Sequence, residues 1–316
     1  MKKNSILLFL LCSAMGAAAQ NWPEMRPEAR PGSRWWWLGS AVDKDNLNYN
    51  LKEYGKAGLG SLEVTPIYGV KGNEFHNIRF LSPEWMEMFR YTQEVGKMNG
   101  IDIDMNTGTG WPFGGPEVSL SQAAKAIFEC YEVKGGESVK LEIDIRDPKE
   151  EKQRDVAYLD CLMAYGADGK VVNLTRKVKG GYLQWNAPTG DWKLVALFVG
   201  RTFQKVKRAA PGGEGYVMDH FSPVAVKSYF EKFDKAFKTN KVNFPRPFFN
   251  DSYEVYGADW TPAFLKEFAA RRGYRLENHF PEFISQERTE LTRRLVSDYR
   301  ETLGELLVEN FTTAWT

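Results

Sequence analysis

Apolar residues recur along this chain with two spacings. Within residues 43–58 they fall at Leu47, Leu51 and Tyr54, one face of a helix. Ser82-Pro83, Ser222-Pro223 and Thr261-Pro262 each set a hydroxyl residue before a proline, followed by a helical pattern. The hydroxyl can accept the unpaired N–H groups of a first turn, and proline at the first helical position loses no hydrogen bond. Gly100 and Gly273 stand where left-handed C-terminal caps would end the first and third of these helices. Short strand-like runs precede or separate the helices, at residues 34–39, 61–68, 101–106, 217–220 and 248–251. Strand and helix in alternation predict βα units and a parallel sheet.

Residues 121–205 follow another rule. Period-two alternation dominates, and the turn signals Ala167-Asp168-Gly169 and Pro188-Thr189-Gly190-Asp191 divide it. This predicts an all-β insertion in an α/β domain. Residues 291–316 then form one helical pattern, through Leu291, Leu295, Tyr299, Leu303, Leu306 and Leu307, with no terminating Gly or Pro. Four or five βα units are expected, against the eight of a closed barrel. The expected plan is a (β/α)8 barrel's N-terminal part, truncated before closure. Its units are a signal peptide at 1–19, first βα units at 20–120, a β-rich insertion at 121–205 and further βα units at 206–316.

Composition narrows the function. A net charge of +1 over 316 residues offers no basic field for nucleic acid. Aromatic residues reach 14%, with ten Trp, and such rings serve either a large core or platforms for the C–H faces of sugars. Lys2, Lys3, an apolar run at 6–11 and Ala17-Ala18-Ala19 read as an export signal cleaved near Ala19, placing the protein in the periplasm or outside the cell. Leu11 before Cys12 argues against a lipid anchor. No run reaches the ~18 apolar residues of a membrane-spanning helix. Cys130 and Cys161 remain, either as a disulfide or buried singly in strands.

Active sites of βα barrels gather at the C-terminal ends of strands. The predicted tips offer Trp36, Trp37 and Ser40; Glu63, Thr65 and Tyr68; Asp104, Asn106 and a loop holding Trp111; Asp219 and His220; and Asn250, Asp251 and Glu254. Carboxylates beside aromatic platforms suggest glycoside hydrolysis, which needs one protonated acid and one carboxylate. Glu254, between Tyr253 and Tyr256 and near Asp251, is the candidate acid, its proton held by apolar neighbours. Asp251 either shapes the turn or touches substrate. Trp37, Glu63, Asp104, Asn106, Trp111, Asp219 and His220 are candidate substrate contacts. Gly108-Thr109-Gly110 lacks the Gly-Lys-Ser/Thr of a phosphate loop.

Four stretches carry a family resemblance: Arg34-Trp35-Trp36-Trp37-Leu38-Gly39, the Gly108–Gly115 loop with Trp-Pro-Phe-Gly-Gly, Gly215-Tyr216-Val217-Met218-Asp219-His220-Phe221-Ser222, and Asn250-Asp251-Ser252-Tyr253-Glu254. Together they resemble glycoside hydrolase family 106, the α-L-rhamnosidases of bacteria that degrade plant polysaccharides. The resemblance implies a (β/α)8 barrel with a β insertion, inverting hydrolysis of terminal α-L-rhamnosides, calcium in the active site with ligands unassigned, and Glu254 as general acid. Inversion implies a base carboxylate ~6.5–9.5 Å away, expected beyond residue 316, so this stretch alone is expected to be inactive. A non-catalytic carbohydrate-binding protein and a barrel glycosidase for another sugar remain as alternatives.

Overall fold

The structure, a computed structural model, describes residues 25–250 and 253–315. The expected export signal, Cys12 and Asp251 lie outside the described residues. The chain opens with β1 (Gly32–Leu38), α1 (Lys44–Lys56), β2 (Ser61–Ile67), α2 (Pro83–Met98) and β3 (Asp102–Asn106). Capping explains the helix starts. Asp43 accepts the Asn46 N–H at 2.9 Å, and Ser82 accepts the Trp85 N–H at 3.2 Å. Gly100 takes φ +69 just beyond α2, as expected.

Residues 107–247 include β4 (Gly114–Gly115), then antiparallel strands β5 (Ala124–Lys134), β6 (Ser138–Glu142), β7 (Tyr158–Gly166), β8 (Val171–Asn173), β9 (Val178–Lys179), β10 (Tyr182–Asn186) and β11 (Asp191–Arg201). They form two sheets, ordered β6-β10-β9 and β5-β11-β7-β8. β12 (Tyr216–Val217), α3 (Pro223–Asn240) and β13 (Phe248–Phe249) follow. α4 (Phe264–Arg272), α5 (Phe280–Phe283), α6 (Glu290–Leu306) and a π-helical turn at Leu307–Thr312 come next, followed by a short helix at Thr313–Trp315.

The parallel sheet is ordered β1-β2-β3-β13, every neighbour parallel. Alternation along its strands separates two faces. Leu62, Val64, Ile103, Met105 and Trp37 join a core with Trp85, Phe89 and Phe237 from α2 and α3. Trp37 meets Trp85 at 5.6 Å, and Trp85 stacks on Phe89 at 5.3 Å. Burying one such ring stabilises by about 1.5–3 kcal/mol. The opposite face carries Arg34, Trp36, Glu63, Thr65, Asp104, Asn106 and Phe249, in register as Arg34–Glu63–Asp104 and Trp36–Thr65.

Three expectations change. The run 217–220 is not a strand of the parallel sheet: β12 pairs antiparallel with β4, and Met218, Asp219 and His220 turn into the interior. Thr261 does not cap its helix. α4 begins at Phe264 after Ala263, with no side-chain cap. And α4 to α6 do not continue the parallel sheet. Trp260, Phe264, Phe268, Phe280 and Leu295 pack against Cys161, Met163, Val195 and Leu197 of the antiparallel sheet. The apolar stripe of a helix goes to whichever apolar face lies uncovered, and β11 has one.

Both cysteines are free thiols. β11 lies between their strands, with Val195 opposite Cys130 and Leu197 opposite Cys161. Two strand spacings, roughly 10 Å, are beyond the reach of a disulfide. Burial pushes the Cys161 thiol up to about 12.

Candidate active site

The C-terminal ends of β1 to β3 and the loops around them build one open surface. Gly110 makes its geometry possible. It takes φ +55, and a Cβ there would lie 2.0 Å from the Lys207 carbonyl oxygen. Without one, Trp111 and Lys207 exchange backbone hydrogen bonds of 3.1 and 2.9 Å. Gly110 also donates to Pro66 of β2 at 3.0 Å, and Tyr68 donates to the Arg208 carbonyl at 3.1 Å. The segment around residues 207–208 is thereby fixed over the strand ends.

Four aromatic rings mark this surface. Trp36 is 42% exposed and its ring centroid lies 6.3 Å from that of Trp111. The Arg208 guanidinium lies 5.7 Å from the Trp111 ring and 5.4 Å from the Tyr68 ring, and donates to the Tyr68 hydroxyl at 3.0 Å. Arg34 lies 5.2 Å from both Trp36 and Phe249. Such cation–aromatic contacts hold planar groups upright over a surface.

Glu254 borders it. Its backbone carbonyl accepts from Gln204 Nε2 at 2.8 Å, and its side chain, 41% exposed, faces Lys207 Nζ at 3.7 Å. Lys207 also sits 4.6 Å over Tyr256. The sequence led to an apolar enclosure for this carboxyl; the structure puts a lysine and open solvent there instead.

The other expected contacts divide sharply. Trp111 reaches the surface. Trp37 does not: at 1% exposure it belongs to the core under α2, and Trp36, one residue earlier, holds the open position. Strand alternation is the reason, since Trp35 and Trp37 already face the helices. Glu63 is tied to Arg34 at 3.3 Å and to the Thr65 hydroxyl at 2.8 Å. Asp104 is held bidentately by Arg246, at 3.0 and 2.8 Å. Burial pushes the Asp104 carboxyl up, and the Arg246 pairing pulls against it. Asn106 is buried, with Nδ2 3.4 Å from the Gly110 carbonyl and Oδ1 without a partner among the described residues. Ser40 accepts from Trp85 Nε1 at 3.1 Å and is structural.

Asp219 and His220 are buried beneath the Glu254 loop and do not face the surface. Burial pushes the Asp219 carboxyl up to about 7, against the Thr261 hydroxyl and the N–H groups of Phe221 and Ser222. Burial lowers His220 to about 4, so its ring is neutral. His220 Nδ1 lies 2.9 Å from the Met218 carbonyl, and its ring meets Tyr253 edge-on at 5.1 Å. Through Tyr253 this pair props the residue preceding Glu254.

Lys207 and Arg208 were not singled out by the sequence. A basic pair in a loop carries no local mark of the aromatic rings it will meet. Arg34 was not singled out either: its place beside Trp36 follows by period two only once Trp37 is seen to be buried.

The resemblance implies calcium with its ligands unassigned. Among the described residues no three His, Cys, Asp or Glu side chains cluster. Asp104, a hard oxygen donor, has both oxygens on Arg246. A cleft of about 660 Å³ lies away from this surface, on the antiparallel sheet beside Glu132, Tyr165 and Trp192.

A carboxylate among solvent-facing rings at the ends of parallel strands is the arrangement of a carbohydrate-active enzyme. The fold is similar to that of a solved rhamnosidase from Novosphingobium sp. PP1Y, with a TM-score of 0.72 at 16% identity, covering 91% of this chain and 44% of that one. A protein of Formosa agariphila named "Putative beta-glucuronidase" is 26% identical over 329 aligned positions, 90% of this chain and 28% of the relative. The chain thus spans less than half the length of both. The profile of glycoside hydrolase family 106, described as alpha-L-rhamnosidase, matches residues 23–168 and 163–315, and the chain belongs to that family. Among the described residues, no helix is long and apolar enough to cross a membrane.

Proposed function

We propose that this surface is part of the active site of an exported enzyme that hydrolyses terminal α-L-rhamnosides in plant polysaccharides with inversion. The observation that carries the reading is Glu254: a carboxylate facing Lys207, whose backbone is hydrogen-bonded to that of Trp111, in a chain of this family. In this reading Glu254 donates its proton to the glycosidic oxygen as the C–O bond breaks. A water, deprotonated by a second carboxylate, attacks the opposite face of the sugar. A sugar stacked on the rings excludes water from Glu254 and supplies the desolvation that the free surface lacks. Glu63, Asp104 and Asn106 act from beneath, holding Arg34 and the strand ends in place.

The test is Glu254→Gln in the full-length protein. Turnover of nitrophenyl α-L-rhamnoside falls about 10²–10⁴-fold while rhamnose binding persists. Unchanged turnover removes Glu254 as the acid, and a wild type that binds glycans without turnover leaves a carbohydrate-binding protein.

A second reading has one observation in its favour. Arg34, Lys207 and Arg208 gather cations on the surface, and a relative carries a β-glucuronidase name. There the cleaved sugar itself is a glucuronide. Turnover of nitrophenyl β-glucuronide and none of the rhamnoside selects it.

A further inference from the structure

Arg208 is an exposed cation on a clamped backbone. It adopts φ +58, a left-handed conformation unusual for a side-chain-bearing residue. The clamp is the Tyr68 N–H on its carbonyl and the close approach of Gly110, whose added Cβ would sit 2.8 Å from the Arg208 carbonyl. Strained backbone held by its surroundings gathers at ligand-binding positions. Among the described residues the guanidinium is held by Tyr68 and Trp111, with no carboxylate in salt-bridge reach. A planar guanidinium fixed in this way loses little freedom on binding, and its fork matches a carboxylate bidentately.

Its place relative to Glu254 gives the cation a direction. A general acid protonates the oxygen that departs with the leaving sugar, so that sugar lies on the acid's side of the broken bond. Lys207 Nζ is 3.7 Å from the Glu254 carboxylate, and Arg208 is its chain neighbour. Lys207 therefore lines the leaving-group side, and Arg208, one residue on, extends from it to the Tyr68 and Trp111 rings.

We infer that Arg208, assisted by Lys207, recognises an anionic substituent on the leaving sugar, a carboxylate as in a uronic acid. This rests on the reading of Glu254 as the acid. The neutral rhamnosyl ring is cleaved, and specificity comes from the charged sugar released.

The test uses the full-length protein and α-L-rhamnosyl disaccharides whose leaving sugar is glucuronic acid, glucose or sulfated glucose. The expected result is a kcat/KM for the uronide at least about tenfold above that for the glucoside. Arg208→Gln removes most of that ratio, and Arg208→Lys keeps part of it, with circular dichroism confirming folded variants. Equal rates for uronide and glucoside, or a Gln variant that lowers both alike, overturn the inference. A sulfated substrate faster than the uronide overturns the assignment to a carboxylate. If neither the disaccharides nor nitrophenyl α-L-rhamnoside is cleaved, the acid reading has failed by itself. Calorimetric titration with glucuronate and glucose then decides on Arg208: glucuronate binding lost in the Gln variant supports the role, and no glucuronate binding ends it.

Discussion

Two pairs of tryptophans are used in opposite ways. Trp185 and Trp192 meet edge-on at 5.1 Å inside the core between the antiparallel sheets, and the Trp192 indole N–H donates to the Pro188 carbonyl at 2.8 Å. Trp36 and Trp111 stand 6.3 Å apart on the open surface. The sheets behind them explain the contrast. β11 is apolar on both faces because the second antiparallel sheet covers one and α4 to α6 cover the other. The described helices cover only one face of β1 to β3, so the other face carries arginine, carboxylates and accessible rings. A strand covered twice supplies stability; a strand covered once leaves side chains for chemistry.

The comparison can be broken from either side. Glu254→Gln should cost two to four orders of magnitude in turnover and leave the denaturation midpoint in place. A large midpoint shift would make Glu254 a structural residue. Leu194→Ala, on β11, should cost about 2–5 kcal/mol, read from urea unfolding, with no change in the preference among substrates. A loss below about 1 kcal/mol would mean the core between the sheets is loosely packed.

The buried pair under the Glu254 loop offers a smaller and more specific effect. Asp219 has its carboxyl raised from 3.8 to about 7. The folded state therefore binds the extra proton, and this residue's contribution to stability falls as pH rises from about 4 to 7. His220 is lowered from 6.5 to about 4, so its contribution is lost as pH falls through the same region. The two slopes oppose each other between about pH 4 and 6.5. Asp219→Asn should leave stability rising with pH, and His220→Gln should leave it falling, each by roughly 1 kcal/mol per unit. Variants that both run parallel to wild type would show that these groups do not titrate as their burial implies. Smallest of all, Trp36→Ala should change stability by less than about 1 kcal/mol while raising KM several-fold; a KM left alone would remove Trp36 from the sugar platform.

Much of the α/β part was legible before folding. Asp43, Ser82 and Ser222 announce their helices because capping is local, satisfied by an N–H three residues on. Period two marked the antiparallel strands from 124 to 201 for the same reason. Thr261-Pro262 has the same composition and misled, because Thr261 is taken into the buried surroundings of Asp219. Trp37 misled because three successive Trp do not say which of them faces the helices.

What the sequence determined by itself was therefore the inventory: helices, strand runs, caps, the aromatic share and a carboxylate after the last parallel strand. Only the tertiary structure decided who meets whom. It sent α4 to α6 to the antiparallel sheet, buried Asp219 and His220 beneath Tyr253, and brought Lys207 and Arg208 across to Trp111 and Glu254. The physical reason is range. Periods and caps are satisfied within a turn or a strand, whereas these contacts join segments far apart in the chain and form only where two faces have been left uncovered for each other.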